Sequence, residues 1–294
     1  MKIYQLVLLL GVAAGGCKHD TIEADPARVG AGQDASATDS KSETQVDAVA
    51  PGCPSGLAGP AMALISVAEK KHYCIDKTEV TQSQYAKFVV AAGDDLSLIA
   101  GISECWFQGN FDVRVESGDN PAVTACPKGE YDPAAKPDQP AGCITWCGAY
   151  AYCRWAGKRL CGKIGGGALD DPNNDYKNLA KSQWFYACTQ GGTSVYQYGD
   201  AYDPACSPEM LEPVTSASSQ CAGQKPPYNE ITGMNSGVSE WEDSCVDDGC
   251  LYRGGGIGNL PSSDGQELRC DAKANTHRGS SYPAIGFRCC LDVD

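Results

Sequence analysis

The cysteines constrain this chain more than any other feature of its sequence. There are 17 cysteines in 294 residues, and setting aside Cys17 near the amino terminus leaves sixteen, an even number. In a chain that leaves the cytoplasm, such a set is typical of a disulfide framework. Zinc is the competing interpretation, but it needs closely spaced pairs such as CxxC, and no two cysteines here stand three positions apart. We therefore predict multiple disulfides, with a connectivity that the sequence leaves open.

The last two cysteines, Cys289 and Cys290, are neighbours in the chain. Successive residues of a β-strand point to opposite faces of the sheet. If this segment is a strand, each of the two therefore pairs with a different distant partner.

The first residues have the pattern of an export signal. Lys2 precedes an apolar run at 3–14, which is too short to span a bilayer. The ending Ala-Gly-Gly-Cys resembles the lipobox of bacterial lipoproteins, in which the cysteine is acylated and begins the mature chain. We predict a signal peptide at 1–16 and a lipid anchor at Cys17 on a bacterial membrane, periplasmic or at the cell surface. An ordinary secretory signal is the alternative.

The composition changes once along the chain. Residues 17–52 are rich in Ala, Asp, Ser, Thr and Gly and poor in large apolar side chains, which predicts a disordered tether. Residues 53–294 carry frequent aromatics, glycines and cysteines and form the predicted domain. No later apolar stretch is long enough to cross a membrane. The net charge of -14 argues against nucleic acid, or an anionic membrane surface, as a partner.

Helical periodicity is confined to a few segments of the domain. The first has the spacing of a capping box at Thr81 and Gln84 and of a hydrophobic staple at Val80 and Tyr85. Turn residues dominate elsewhere, so we expect little regular secondary structure. The predicted helices are Glu79–Gly93, Thr145–Gly157 and Ser182–Cys188.

Four stretches of the chain follow one another in an informative order: DKTEVTQSQYAKFV from Asp76, ITWCGAYAYCRWAGKRL from Ile144, SGVSEW from Ser236, and YRGGG from Tyr252 with IGFRCC from Ile285. Together they resemble the landmarks of the formylglycine-generating enzyme family, also called sulfatase-modifying factor domains. The resemblance covers about Tyr73 to Leu291. It implies a compact α+β fold related to C-type lectins, with low regular secondary structure and often with bound calcium.

The resemblance also implies copper-dependent oxidase chemistry, but this chain lacks residues that the chemistry needs. Active members are oxygen-dependent oxidases that convert a sulfatase cysteine to formylglycine with a cysteine pair that binds copper(I), a metal suited to soft thiolates. Here the stretch from Gly256 to Cys270 holds no cysteine before its last residue, and none of Leu260, Pro261 or the residues up to Gly265 replaces a thiolate. Gly256 also replaces a family serine, and Ser239 the first tryptophan of the WEW signature. We therefore do not expect copper.

The same resemblance makes Glu240 a candidate calcium ligand, with Ser236 and Val238 contributing backbone oxygens. The Asp or Asn expected before Met234 is Gly233 here, so one carboxylate or amide ligand is missing. The alternative for Glu240 is a buried carboxylate that hydrogen bonds satisfy. Calcium is thus a candidate cofactor.

Three functions follow as hypotheses. The first is a pseudoenzyme that keeps the fold without the copper oxidase and serves as a binding or scaffolding module for a protein or glycan ligand. The second is a divergent family enzyme, an oxidase or another modifying activity acting on an exported protein or small substrate. Asp264, His277 and Arg278 near the expected cleft are its candidate acid-base or anion-binding groups. The third is calcium-dependent carbohydrate binding, an analogy with lectin-like folds.

Overall fold

The computed structural model describes residues 52–67, 71–113, 126–206, 214, 221–255 and 265–293. Within these ranges, short helices and strands alternate with turns. The helices are α1 Gln82–Ala92, α2 Trp146–Trp155 and α3 Gln183–Cys188. The strands are β1 Met62–Val67, β2 Lys71–Asp76, β3 Arg159–Leu160, β4 Ser239–Val246, β5 Gly249–Gly254, β6 Ala274–His277, β7 Ile285–Phe287 and β8 Cys289–Val293. The predicted α+β class with low regular secondary structure is confirmed.

The predicted signal peptide at 1–16, the lipidated Cys17 and the tether as far as residue 51 lie outside the described residues. None of the helices in the described ranges combines the length and the apolar character that a membrane span requires.

All three predicted helices are present, with shorter bounds. The Thr81 hydroxyl accepts a hydrogen bond from the Gln84 N–H at 3.3 Å, and the Gln84 side chain accepts one from the Thr81 N–H at 2.9 Å, which confirms the capping box. Thr145 and Ser182 cap α2 and α3. The prediction that α1 starts at Glu79 was wrong, because the residues before Thr81 pair with the sheet: the Val80 N–H donates to the Phe287 carbonyl at 3.1 Å.

The described strands form two four-stranded sheets. In the first, the order is β1-β2-β8-β3 and every pair is antiparallel. In the second, the order is β6-β5-β4-β7, with β4 and β7 parallel. The carboxyl-terminal strands β7 and β8 therefore belong to different sheets, and Arg288 is the residue that joins them.

The largest apolar cluster packs α1 and α2 against the second sheet. Tyr85 of α1 stacks on Tyr152 of α2 with ring centroids 5.9 Å apart, and Phe88 meets the same ring edge-on at 5.6 Å. Phe287 of β7 packs on Tyr152 at 5.3 Å. Aromatic pairs of this geometry add about 0.5–1.5 kcal/mol each beyond burial, so they help to fix the helices on the sheet.

Within the described ranges, eight disulfides pair all sixteen cysteines that follow Cys17. Cys289 bonds to Cys153 and Cys290 to Cys161, which confirms that the two neighbours have different distant partners. The remaining pairs are Cys53–Cys74, Cys105–Cys147, Cys126–Cys143, Cys188–Cys270, Cys206–Cys221 and Cys245–Cys250. So many disulfides indicate an extracytoplasmic protein.

Candidate functional site

Glu240 lies in the middle of the second sheet and is fully buried. The Arg288 guanidinium donates to both carboxylate oxygens, at 2.6 Å from Nη2 to Oε1 and 2.7 Å from Nε to Oε2. The Trp184 indole N–H donates to Oε2 at 2.7 Å. A carboxylate with these partners is satisfied by charge and by hydrogen bonds despite its burial.

A second buried carboxylate, Glu79, lies near the same guanidinium. Its Oε2 is 3.9 Å from Arg288 Nη2, and the Val238 N–H donates to the carboxylate. Burial raises the pKa of Glu79 to about 8, while Arg288 opposes the rise and Glu240 adds to it. Two carboxylates thus share one guanidinium, and the raised pKa favours the neutral form of Glu79 near neutral pH.

Glu79 also occupies space that other side chains would need. A Cβ placed on Gly233 or Gly237 would overlap the Glu79 carboxylate, and both glycines have positive φ. The Gly233 position is where the sequence lacks an expected acidic or amide side chain. In this chain, the Glu79 carboxylate occupies the space that a side chain at position 233 would take, although Glu79 comes from a distant part of the sequence.

The residues predicted to hold calcium are therefore close together but engaged with protein groups. Ser236 and Val238 lie in the segment that leads into β4, and Val238 N–H binds Glu79. Both oxygens of Glu240 accept hydrogen bonds from Arg288, and Oε2 also accepts one from Trp184. Glu240 is therefore arranged as the alternative predicts, as a buried carboxylate satisfied by hydrogen bonds. Among the described residues, no group of three or more His, Cys, Asp or Glu side chains is arranged to hold a metal. Calcium binding at Glu240 stays a prediction.

His277 and Arg278 are adjacent in the chain but occupy different environments. His277 ends β6 and is exposed, and its Nδ1 accepts the Gly279 N–H at 3.0 Å. Arg278 is buried with its guanidinium 5.3 Å from the Trp146 ring, and it donates to the Asp247 carbonyl. The third candidate, Asp264, lies outside the described residues. The catalytic hypothesis for these three residues stays a prediction.

A groove that the sequence did not predict lies beside α3. Its volume is about 700 Å³, within the usual range for ligand sites of about 300–1,000 Å³. Three loops and the half-buried face of α3 form it, so no sequence periodicity marks it. The side chains that matter for its chemistry are Lys177, Leu179, Phe185, Val195, Arg269 and Asp271.

Comparison with known proteins identifies the family. A model of the sulfatase-modifying factor enzyme 1-like domain matches residues 61–293, most of the chain. The chain belongs to this family. The resemblance drawn from the four sequence stretches is thereby confirmed. No curated protein matches the chain.

Solved structures of similar proteins cover most of this member of the sulfatase-modifying factor family. CarF is 15% identical, with a TM-score of 0.43 over 81% of this chain and 97% of its own. PvdO from Pseudomonas aeruginosa is 17% identical, with a TM-score of 0.42 over 75% and 80%. Variable protein 1 of Treponema denticola is 15% identical, with a TM-score of 0.41 over 78% and 94%.

The stretch where the family resemblance implies a copper-binding cysteine pair falls at 256–264, outside the described residues. Its sequence contains no cysteine. The flanking Gly254 packs against the backbone of Met234, and Gly255 packs against the backbone of Ser236. The contacts are so close that a Cβ on either glycine would overlap that backbone. Cys270, at the end of the stretch, is bonded to Cys188.

Proposed function

We propose that this protein is an exported member of the sulfatase-modifying factor family that has lost the copper oxidase and acts as a binding or scaffolding module for a protein or glycan ligand. The observation that carries the proposal is the state of the cysteines. Each of the sixteen that follow Cys17 forms a disulfide, and the stretch 256–264 holds none.

Copper(I) chemistry of the family type requires two thiolates side by side, because soft metal ions select soft ligands. A sulfur in a disulfide has no proton to lose and is not a thiolate ligand. The side chains offered between Gly256 and Gly265 are aliphatic, amide, hydroxyl or carboxylate groups. Loss of the metal site is therefore the simplest account of this sequence.

An assay of the family reaction tests the proposal. The purified, oxidised protein is incubated with copper(I), oxygen and a peptide that carries a sulfatase cysteine motif, and the peptide is analysed by mass spectrometry. We expect the peptide cysteine to stay unchanged. A formylglycine product above the level of a no-protein control would overturn the proposal.

The location is part of the same proposal. The eight disulfides support an oxidising compartment. We propose that Cys17 is acylated and holds the domain at a membrane. In a detergent phase partition, the wild type should enter the detergent phase and Cys17→Ser the aqueous phase, with Ser36→Ala as the control that changes nothing. A wild-type protein in the aqueous phase would refute the anchor.

A further inference from the structure

The groove beside α3 has fixed walls. The Cys188–Cys270 disulfide joins the end of α3 to the wall that carries Arg269. The Cys270 N–H donates to the Val195 carbonyl at 3.0 Å, which ties a second wall to the first. A ligand would therefore meet a largely preformed surface and would not have to order it.

Three apolar side chains line the groove, together with the polar Asn174, Asn178, Thr189 and Ser194. Phe185 is half-buried on α3, and Val195 is half-buried on the opposite loop. Leu179 is 37% exposed and leans on Gly192, where a Cβ would overlap it. Burying this surface under an apolar ligand group is favourable at about 25 cal/mol per Å².

The rim of the groove is positive, although the chain carries a net charge of -14. Its ionisable lining residues are Lys177, Arg269 and Asp271, two cations against one carboxylate. Arg269 and Asp271 neutralise each other through two hydrogen bonds of 2.8 and 3.1 Å. This leaves the positive charge of Lys177. The pKa of Asp271 is lowered mainly by its hydrogen bonds to Arg269 and to a smaller extent by Lys177.

More positive charge lies behind Lys177, around the buried ring of Tyr176. Lys273 Nζ is 4.2 Å from the centre of this ring, and Lys177 Nζ is 5.7 Å from it. Burial lowers the pKa of Lys273, and the nearby Arg253 and Lys177 lower it further. Asp171 opposes this effect, and Glu242 pairs with Arg253 at 2.8 Å. An anion at the rim would relieve the repulsion among these cations.

From this arrangement we propose that the groove binds an acidic peptide segment of a partner protein. The carboxylate of an Asp or Glu side chain meets Lys177, and the apolar side chain next to it packs on Phe185 and Leu179. The proposal rests on the proposed function, a binding module, and names its ligand class. Charge complementarity selects an acidic ligand, and the apolar side chains of Phe185, Leu179 and Val195 favour a peptide with hydrophobic side chains over a polyhydroxylated ligand.

The test uses the intact, oxidised protein and two sets of hexapeptides with blocked ends. The acidic set has Asp or Glu at one position, followed by two residues drawn from Leu, Val and Phe. The matched neutral set has Asn or Gln at that position. Affinities are measured by calorimetry, and oligogalacturonate, an acidic glycan, serves as a third probe.

We expect members of the acidic set to bind at least tenfold more tightly than their neutral counterparts, as a charge-assisted hydrogen bond requires. Lys177→Gln should weaken the acidic set about tenfold and leave the neutral set unchanged. Leu179→Ser, at an exposed position, should weaken both sets. Lys181→Gln is the matched control, because Lys181 pairs with Asp170 on the same loop outside the groove, and it should change nothing.

Equal affinity for the two peptide sets would overturn the proposal, as would failure of the acidic set to bind at millimolar concentration. Binding of oligogalacturonate that Lys177→Gln abolishes, without peptide binding, would reassign the groove to acidic glycans and equally overturn it. These outcomes are distinct from failure of the proposed function, which formylglycine formation alone would show.

Discussion

Glu79 is a second buried carboxylate beside Arg288, whose single positive charge already pairs with Glu240. Burial and the neighbouring Glu240 carboxylate raise the pKa of Glu79 from its ordinary value of 4.5 to about 8. In the unfolded chain, the same side chain loses its proton near 4.5. The folded state therefore binds one more proton between these two pH values, and folding should become less favourable as pH rises through that window.

Substituting Glu79 by Gln should remove this dependence. In the wild type, the contribution of Glu79 to the free energy of unfolding should be largest below pH 4.5. It should fall by up to about 1.4 kcal/mol per pH unit as the pH rises, and level off above pH 8. Asp76 and Asp243, each with a pKa raised to about 6 by burial, contribute similar falls mainly at lower pH, and burial also raises the pKa of Glu242. The difference in slope between the wild type and Glu79→Gln from pH 6 to 8 therefore isolates Glu79. Urea unfolding at fixed pH values with the disulfides intact measures the slope.

The matched control is Glu104→Gln, at an exposed carboxylate whose pKa is lowered by hydrogen bonds to its own backbone and to Ser103. It should leave the profile from pH 6 to 8 unchanged. A wild-type stability that is flat or rises with pH over this range would show that Glu79 is ionised in the folded protein.

Arg288 is the residue on which both buried carboxylates depend. Arg288→Met should destabilise the domain by about 3–5 kcal/mol, since it leaves Glu240 without its charge partner in a site closed to water. The double variant Arg288→Met with Glu240→Leu should recover part of that loss, because it removes the buried charge as well. A double variant less stable than the single one would contradict this account.

Calcium binding at Glu240 would require the ion pair between Glu240 and Arg288 to break. A cation could approach this carboxylate only if Arg288 left it, because like charges repel at this distance. The calcium hypothesis, and with it calcium-dependent carbohydrate binding, therefore predicts heat on calcium addition and a raised melting temperature, both abolished by Glu240→Gln. A titration without heat or thermal shift would remove it.

At the scale of elements, the disulfides Cys153–Cys289 and Cys161–Cys290 act as a pair. They join α2 and the residue that follows β3 to the adjacent cysteines at the start of β8. While one is intact, the other closes only a short additional loop. Since the entropic effect of a crosslink grows with the loop that it closes, neither alone contributes what its long sequence separation suggests.

Removing the two disulfides should therefore be non-additive. With serine at both positions of one pair, we expect a loss of stability of up to about 3 kcal/mol. The loss with both pairs removed should exceed the sum of the single losses by about 2 kcal/mol. A double-mutant cycle from urea unfolding measures this term. Strict additivity would mean that local packing, and not loop closure, determines the contribution of each bond.

At the scale of the whole molecule, local sequence signals predicted the helices but not the contacts that bring distant residues together. Thr81, Thr145 and Ser182 marked three helix starts, because a capping side chain bonds to backbone within the same turn. The partners of Cys289 and Cys290 could be predicted to differ but not identified, since only the folded chain brings Cys153 and Cys161 to β8.

Contacts between distant parts of the sequence account for what could not be predicted. Arg288 directly follows β7. It donates to the carbonyl of Asp76, 212 positions away, and to the side chain of Glu240, 48 positions away. The groove combines loops around Lys177 and Val195 with the wall at Arg269, none of which has a recognisable motif. Such constellations depend on tertiary packing, which periodicity and capping do not encode.

The central claim is that this member of the family holds its cysteines in disulfides and keeps none for copper. Alkylating the unfolded, unreduced mature protein and measuring its intact mass, with peptide mapping of the eight bonds, tests the claim most directly. The account predicts no alkylated cysteine from Cys53 to Cys290 and a map that contains Cys188–Cys270. Two alkylated cysteines between Cys53 and Cys290 would contradict it.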